Sequence, residues 1–255
     1  MKKSNLLVLC CHGVYDNGDF YADRPIEKDI YLKHIEQAFM LLQKNKYDVL
    51  IISGGYTKPQ VEKSEARGYL DWAKEEKRLG LYWQKMDVIL EECARTSAEN
   101  YLYSICRFYQ YYGNFPLKVG SITLGWKKSW HEKVIGPALS KEIAVELIEG
   151  EWEKLKEINP SFGLIKDNNG DLAKACEQVL KNNSGEKLDP FEAKKNIEDR
   201  DIWKKGHPYQ NINNDFKEFF DKLKEHVDFM RSGDHSENDI QENITKLAKH
   251  YPWCK

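Results

Sequence analysis

The segment Val49-Leu50-Ile51-Ile52-Ser53-Gly54-Gly55 decides the fold class of this chain. Four consecutive apolar residues are typical of a short strand that is buried on both faces, as strands of parallel sheets are. Two glycines follow at once, and they allow a tight turn in which a ligand can approach the backbone closely. A helix then begins near Ser64-Glu65-Ala66. The segment therefore indicates one strand–loop–helix unit of an α/β protein.

The same unit is repeated on both sides of this segment. Comparable apolar runs lie at 6–10 and 88–90, and weaker ones at 119–124 and 143–148. Between these runs, apolar residues recur at helical spacing at 30–42, 66–73 and 102–109, and in a fourth stretch at 130–139 that we expect to break at Gly136-Pro137. This order predicts a Rossmann-like, doubly wound α/β body with a mainly parallel sheet of about five strands in residues 1–150.

The pattern changes after residue 150. Asn159-Pro160 and Asn168-Asn169-Gly170 indicate turns, and helical patterns follow at 171–182, 190–200, 213–231 and 237–250. The sequence of this part contains no strand-like run. We therefore expect residues 151–255 to form a mostly helical extension that packs on the α/β body.

Composition excludes several classes of protein. The chain has 255 residues, with 39 Lys and Arg against 41 Asp and Glu, a balance that argues against general nucleic-acid binding. The apolar run from Leu6 to Cys11 is too short for a membrane span or a signal peptide. The six cysteines include no Cys-x-x-Cys pair, so we expect buried, reduced thiols in a cytoplasmic protein.

Candidate site residues follow the predicted strands. After the second strand come Ser53, Gly54, Gly55, Ser64 and Glu65. In open α/β sheets, ligands bind outside the carboxyl ends of the strands, and backbone N–H groups at the following helix start favour anions. The glycine turn is thus a candidate anion cradle, with a plain tight turn as the alternative.

The remaining strand ends carry further candidates. Glu91 ends the third strand, and Thr96-x-x-Glu99 with Asn100 follows it in the pattern of a capping box, which explains Thr96 and Glu99 without any function. The other candidates follow the first and fourth strands; they are His12, Gly13, Lys127 and His131. In a parallel sheet all these groups converge at one edge, which favours a binding site there.

Several common motifs are missing from the sequence. It contains no Gly-x-Gly-x-x-Gly dinucleotide fingerprint, no P-loop and no Gly-x-Ser-x-Gly nucleophile elbow. The dinucleotide-binding, P-loop ATPase and serine-hydrolase interpretations therefore receive no support from sequence motifs.

The ordered motifs resemble the YdcF-like family, which includes the SanA and ElyC proteins and has long been catalogued as a domain of unknown function. The resemblance covers residues 5–210 and is carried by four blocks: Cys10 to Gly13, Ser53 to Gly55 with Ser64 to Ala66, Glu91 with Thr96 and Glu99-Asn100, and Lys127 to His131. His34-Ile35, Ser104 to Phe108 and Leu188 to Tyr209 are closer to its fungal-type branch. The resemblance implies a Rossmann-like fold with the site at the carboxyl edge, and some relatives are linked to S-adenosylmethionine.

These observations leave three functional hypotheses open. In the first, the chain binds a small nucleotide-like or phosphorylated ligand, as a hydrolase or transferase with Glu65, Glu91 and His131 as general acid or base or as ligands of a divalent cation. Lys58, Arg95 or Lys127 would then add positive charge to the Gly54-Gly55 turn.

In the second hypothesis, the ligand is S-adenosylmethionine. In the third, the chain is a non-catalytic sensor or interaction module whose helical tail presents an apolar stripe; the alternative is that this stripe packs on the body. The stripe contains Phe216, Phe219, Phe220, Leu223, Val227 and Met230.

Overall fold

The computed structural model describes residues 2–22, 25–76, 83–158, 208–233 and 235–254. Its strands are β1 (Asn5–Cys10), β2 (Gly13–Asp16), β3 (Asp19–Ala22), β4 (Val49–Ser53), β5 (Val88–Glu91), β6 (Lys118–Ile122) and β7 (Ile143–Val145). Its helices are α1 (Lys28–Gln43), α2 (Glu65–Glu75), α3 (Ser97–Tyr112), α4 (Lys128–Trp130), α5 (Gly136–Ala138), α6 (Glu151–Ile158), α7 (Asn214–Arg231) and α8 (Glu237–Ala248). The helices predicted at 171–182 and 190–200 lie outside the described residues.

Five parallel strands form one sheet in the order β5-β4-β1-β6-β7. The chain first builds outward from β1 through β4 to β5, and then returns to the other side of β1 with β6 and β7. This order confirms the predicted Rossmann-like α/β fold. It also places a topological switch point between β1 and β6, which is where open α/β sheets bind ligands.

Alternate residues of β1 face two different cores. Leu7 and Leu9 pack with α1, α2 and α6, whereas Leu6 and Val8 pack with α3 and the C-terminal helices. The stripe of α7 belongs to the second core, because Phe216, Phe219, Phe220 and Leu223 are buried there. The interpretation that the stripe packs on the body is therefore confirmed for these four residues; Val227 and Met230 are half-buried.

A hairpin after β1 was missed by the sequence analysis. β2 and β3 pair antiparallel through Asn17 and Gly18, which both have positive φ, at 51° and 88°. An Asn-Gly pair between short strands is the usual signal for such a turn, so the sequence contained the information. The hairpin packs against α2.

The break expected at Gly136-Pro137 takes the form of a π-helical turn. Residues His131–Ile135 form this turn, and the helix continues through α5 with Pro137 near its start. Proline cannot donate to the carbonyl of an earlier turn, and a π bulge accommodates that loss without ending the helix.

The cysteines in the described ranges are all free. Cys10, Cys11 and Cys106 are buried, Cys93 is half-buried and Cys254 is exposed, while Cys176 lies outside those ranges. Burial raises the pKa of the Cys10 thiol to about 11 and that of Cys93 to about 12, so these two thiols stay protonated and unreactive. Among the described helices, none combines the length and apolar character needed to cross a membrane.

Candidate functional site

The register of the sheet brings the predicted residues to one edge. Cys10 of β1 lies beside Ser53 of β4, and Ser53 lies beside Glu91 of β5. The polar side chains at this edge form two groups. The Glu91 cluster contains Ser53, Glu91, Asn100 and Tyr209 and lies under α3, and the His34 cluster contains His12, Glu27, Tyr31, His34 and Glu151 and lies beside α1.

Glu91 is fully buried, and four donors surround its carboxylate. Ser53 Oγ donates to Oε2 at 2.7 Å, and the Tyr209 hydroxyl donates to Oε1 at 3.0 Å. The backbone N–H groups of Cys93 and Ala94 donate at 2.7 and 3.2 Å. Burial raises the pKa of Glu91 from its ordinary value of 4.5 to about 7, although these donors oppose the change. Glu91 therefore titrates near neutral pH without contact with solvent.

Ser53 has a second acceptor for its single hydroxyl proton. Its Oγ lies 3.0 Å from Asn100 Oδ1 and 3.3 Å from the Asn100 carbonyl oxygen. When Glu91 is ionised, Ser53 donates to it. When Glu91 is protonated, the carboxyl group can donate to Ser53, which then donates to Asn100. The cluster is thus satisfied in both charge states of Glu91.

Tyr209 was not identified as a site residue by the sequence analysis. It lies just before α7, is buried, and packs on the ring of Tyr103 with a centroid distance of 5.1 Å. Its hydroxyl closes the Glu91 cluster from the C-terminal part of the chain. No local pattern connects two residues 118 positions apart, so only the tertiary structure could show this contact.

The Gly54-Gly55 turn does not present its N–H groups as the anion cradle required. The Gly54 N–H donates to the Glu91 carbonyl at 3.0 Å, and the Gly55 N–H donates to the Ala94 carbonyl at 2.8 Å. A Cβ at Gly55 would lie 2.6 Å from the Ala94 oxygen, and one at Gly54 would lie 2.8 Å from the Cβ of Cys11. The expectation of an anion cradle is therefore corrected: the glycines are needed for close packing between two loops.

The start of α2 is also satisfied within the chain. The N–H groups of Glu65 and Ala66 donate to the carbonyls of Gly55 and Gly54. Ser64 is the N-cap: its Oγ accepts from Arg67 N at 3.0 Å and donates to Glu92 Oε1 at 2.8 Å. Glu65 is buried and accepts a hydrogen bond from the Thr57 hydroxyl. The predicted binding residue Ser64 thus has a capping role.

The capping pattern at α3 is realised with one change. Thr96 Oγ1 accepts from Glu99 N at 3.1 Å, as predicted. The carboxylate of Glu99, however, accepts from Arg95 N at 2.7 Å and not from the N-cap, and it also forms an ion pair with the Arg95 guanidinium. Tyr103 OH donates to it as well, at 3.1 Å. Arg95, proposed as a source of positive charge for a ligand, is thus paired with Glu99.

His131 lies in the protein interior. Its Nδ1 is hydrogen-bonded to the Tyr101 hydroxyl, which also contacts Ser121 Oγ at 2.5 Å. Burial, with the nearby charge of Lys127, lowers the pKa of His131 well below its usual range, so the imidazole is neutral. Within the described part of the chain, His131 Nε2 has no hydrogen-bond partner. Lys127 itself is half-buried, with Nζ 5.3 Å from the ring centroid of Trp126.

At the switch point, His12 connects β1 with the end of β6. Its Nε2 lies 3.3 Å from Thr123 Oγ1, and its backbone N–H donates to Tyr69 OH at 3.1 Å. Gly13 follows and begins the hairpin, where a Cβ would lie 2.6 Å from the Tyr21 carbonyl oxygen. His12 is thus placed where a ligand would bind, and Gly13 serves the packing of the hairpin.

The rest of the His34 cluster was missed as a site. His34 of α1 and Glu151 of α6 are both buried, and their Nε2 and Oε2 atoms are 3.6 Å apart. Glu27 is buried nearby and accepts from Tyr31 OH at 2.8 Å. The Tyr31 ring stacks on His12 with centroids 5.3 Å apart. These residues come from segments far apart in sequence, and a histidine within an amphipathic helix gives no functional signal by itself.

Neither the described residues nor the comparisons with known proteins indicate a specific cofactor. In the ranges that the structure describes, no group of three or more His, Cys, Asp or Glu side chains is arranged to hold a metal ion. Comparisons of the chain with protein-family models, curated proteins and solved structures found no match. The geometry of the carboxyl edge is therefore the remaining guide to function.

Proposed function

We propose that this chain is a divergent YdcF-like protein that binds a small nucleotide-like ligand at the switch point between β1 and β6. The observation that carries the proposal is the set of buried polar atoms there that lack hydrogen bonds. Among the described residues, neither ring nitrogen of His34 has a hydrogen-bond partner, and the same holds for Glu151 Oε2. Buried polar groups are almost always paired, so such atoms mark a place for a ligand or for water.

The position of the cluster supports a ligand. His12 follows β1, and Thr123 follows β6, so both lie at the carboxyl ends of the two strands that flank the switch point. Lys127 lies four residues after Thr123 and provides a positive charge on the same loop. A phosphate of the ligand would therefore bind at Lys127, and not at the glycine turn, whose two N–H groups are occupied.

Binding has more support than catalysis. Glu91 and His131 are both held by hydrogen bonds to neighbouring side chains. Glu65 accepts a hydrogen bond from the Thr57 hydroxyl. The three predicted catalytic residues thus have roles within the protein, and a sensor that responds to a nucleotide-like ligand fits this arrangement.

S-adenosylmethionine is the second candidate ligand. The buried carboxylates of Glu27 and Glu151 lie in the same cluster, and carboxylates suit both ribose hydroxyls and a sulfonium cation. A purely anionic ligand would be repelled by these two groups. The nucleoside part of either candidate is compatible with the cluster.

Thermal denaturation with added ligand tests the proposal. AMP, ADP, S-adenosylmethionine and inorganic phosphate are added to the wild-type chain, to Lys127→Met and to Lys224→Met, in which an exposed lysine of α7 is the matched control. A ligand at 100 times its Kd stabilises the folded state by about 2.7 kcal/mol, which raises Tm by roughly 5–10 °C. We expect this increase with a phosphorylated ligand and a loss of it in Lys127→Met only. No increase with any ligand at millimolar concentration would refute the proposal.

A further inference from the structure

One oxygen of the Glu151 carboxylate is hydrogen-bonded, whereas the other has no hydrogen-bond partner among the described residues. Glu151 is the first residue of α6, and its Oε1 accepts from the Gly125 backbone N–H at 2.8 Å. This hydrogen bond ties the start of α6 to the loop after β6. It also directs the second oxygen, Oε2, towards His34.

His34 Nε2 and Glu151 Oε2, which accept or donate no hydrogen bond within the described ranges, are close together but not hydrogen-bonded to each other. His34 Nε2 and Glu151 Oε2 are 3.6 Å apart, beyond the length of about 3.2 Å at which such hydrogen bonds end. Both side chains are at most 1% exposed, so bulk water does not reach them. A buried donor or acceptor without a partner costs about 1–3 kcal/mol, and the cluster therefore favours a group that satisfies both atoms.

From this geometry we infer that the His34–Glu151 pair binds a hydroxyl group of the ligand, in a polyol part such as ribose. A hydroxyl oxygen can lie about 2.8 Å from both atoms, accept from the imidazole and donate to the carboxylate. An ionised phosphate oxygen has no proton to donate and is repelled by Glu151. The inference rests on the proposed function, and it assigns the hydroxylated end of the ligand to this pair.

The surrounding side chains suit the same group. The ring of His12 lies 6.2 Å from that of His34 and stacks on Tyr31, so two flat rings border the pair. Binding sites for small molecules commonly combine such aromatic walls with a few polar groups that fix the orientation of the ligand. In the proposed function the phosphate binds at Lys127, which follows β6.

Calorimetry with matched variants tests the inference. The probes are D-ribose, AMP and inorganic phosphate, and the variants are Glu151→Gln and Glu153→Gln, since Glu153 is exposed on the same helix. The glutamine at position 151 can still accept from Gly125, but it presents an NH₂ group to the ligand hydroxyl. We expect ribose and AMP to bind roughly 10- to 100-fold more weakly to Glu151→Gln, with no change in Glu153→Gln.

The outcomes separate the inference from the proposed function. If AMP binds equally to the wild type and to Glu151→Gln, the inference is overturned and the proposed function stands. If only ribose binds, and depends on Glu151, the inference stands and the phosphorylated ligand is wrong. If no probe binds at millimolar concentration, both fail. Should Glu151→Gln fail to fold, 2′-deoxy-AMP and 3′-deoxy-AMP are compared with AMP on the wild type; equal affinity of all three overturns the inference.

Discussion

Replacing Glu91 by glutamine should remove a pH dependence of stability that originates inside the protein. In the wild type, the carboxylate accepts from Ser53, Tyr209 and the N–H groups of Cys93 and Ala94. The glutamine NH₂ can donate to Ser53 or to Tyr209, whose hydroxyls can rotate. In either orientation, one backbone N–H loses its acceptor, which costs about 1–3 kcal/mol.

The pH dependence follows from the raised pKa of Glu91. The folded state keeps the proton up to about pH 7, whereas the unfolded chain releases it near 4.5. Between these values the folded state binds more protons, so the free energy of unfolding falls as the pH rises, by roughly 3 kcal/mol, and is constant above this window. Glu91→Gln has no such proton. We expect the variant to be less stable than the wild type at pH 5 and nearly as stable at pH 8.

Urea denaturation at pH 5, 6, 7 and 8 measures this difference. Glu62→Gln is the control, because Glu62 is exposed and its replacement should leave the slope unchanged. If Glu91→Gln and the wild type lose stability in parallel as the pH rises, the pKa of Glu91 is not raised in the folded state. If the difference in stability between the wild type and Glu91→Gln grows towards pH 8, the ionised carboxylate is the form favoured in the folded state.

Three further results are expected. In urea denaturation, the free energy of unfolding of Gly55→Ala should be lower than that of the wild type by about 1–3 kcal/mol, because its Cβ would lie 2.6 Å from a backbone oxygen. Gly113 has a φ of +67° and open space around it, so Gly113→Ala should lower the free energy of unfolding by only about 1 kcal/mol. Tyr209→Phe should lower the free energy of unfolding by about 1 kcal/mol and raise the pKa of Glu91 further, since a donor to the carboxylate is removed. The pH range in which stability falls should then extend to higher pH, and an unchanged range would contradict the contact between Tyr209 and Glu91. A chain that stops after residue 210 should be insoluble, because six buried side chains of this core are lost, each worth about 1.5–3 kcal/mol; a soluble, folded product would contradict the shared core. The lost side chains are Phe216, Phe219, Phe220, Leu223, Leu247 and Tyr251.

The sequence was sufficient for the sheet because buried parallel strands have a strong local signal. Strands β4 and β5 begin where the apolar runs do and end one residue after them, and the glycines after β4 correctly indicated a close backbone approach. The same local signal misled the interpretation of the turn. Sequence cannot show which carbonyl a buried N–H group reaches; the Gly54 N–H reaches the last residue of β5 and the Gly55 N–H reaches the loop after it.

Apart from His12, the His34 cluster could not be predicted, for a physical reason. Its members belong to the end of β1, to the start of α1 and to α6, and they meet only because of the strand order around β1. A buried histidine and a glutamate at a helix start each have an ordinary structural explanation. What marks His34 and Glu151 is that the His34 ring nitrogens and Glu151 Oε2 have no hydrogen-bond partner among the residues that the structure describes, and that is a property of the folded molecule.

The core shared by β1 and α7 has a consequence for how the protein is made. The sheet and helix α3, which covers one of its faces, are encoded by residues 5–145, but Phe216 and Phe220 of α7 pack on aromatic rings of α3. At ordinary translation speeds, the ribosome needs roughly 4 to 15 s to add the residues between β7 and Phe219. During this interval the aromatic rings of α3 lack their contacts with α7. The protein therefore needs protection from aggregation more during its synthesis than after it has folded.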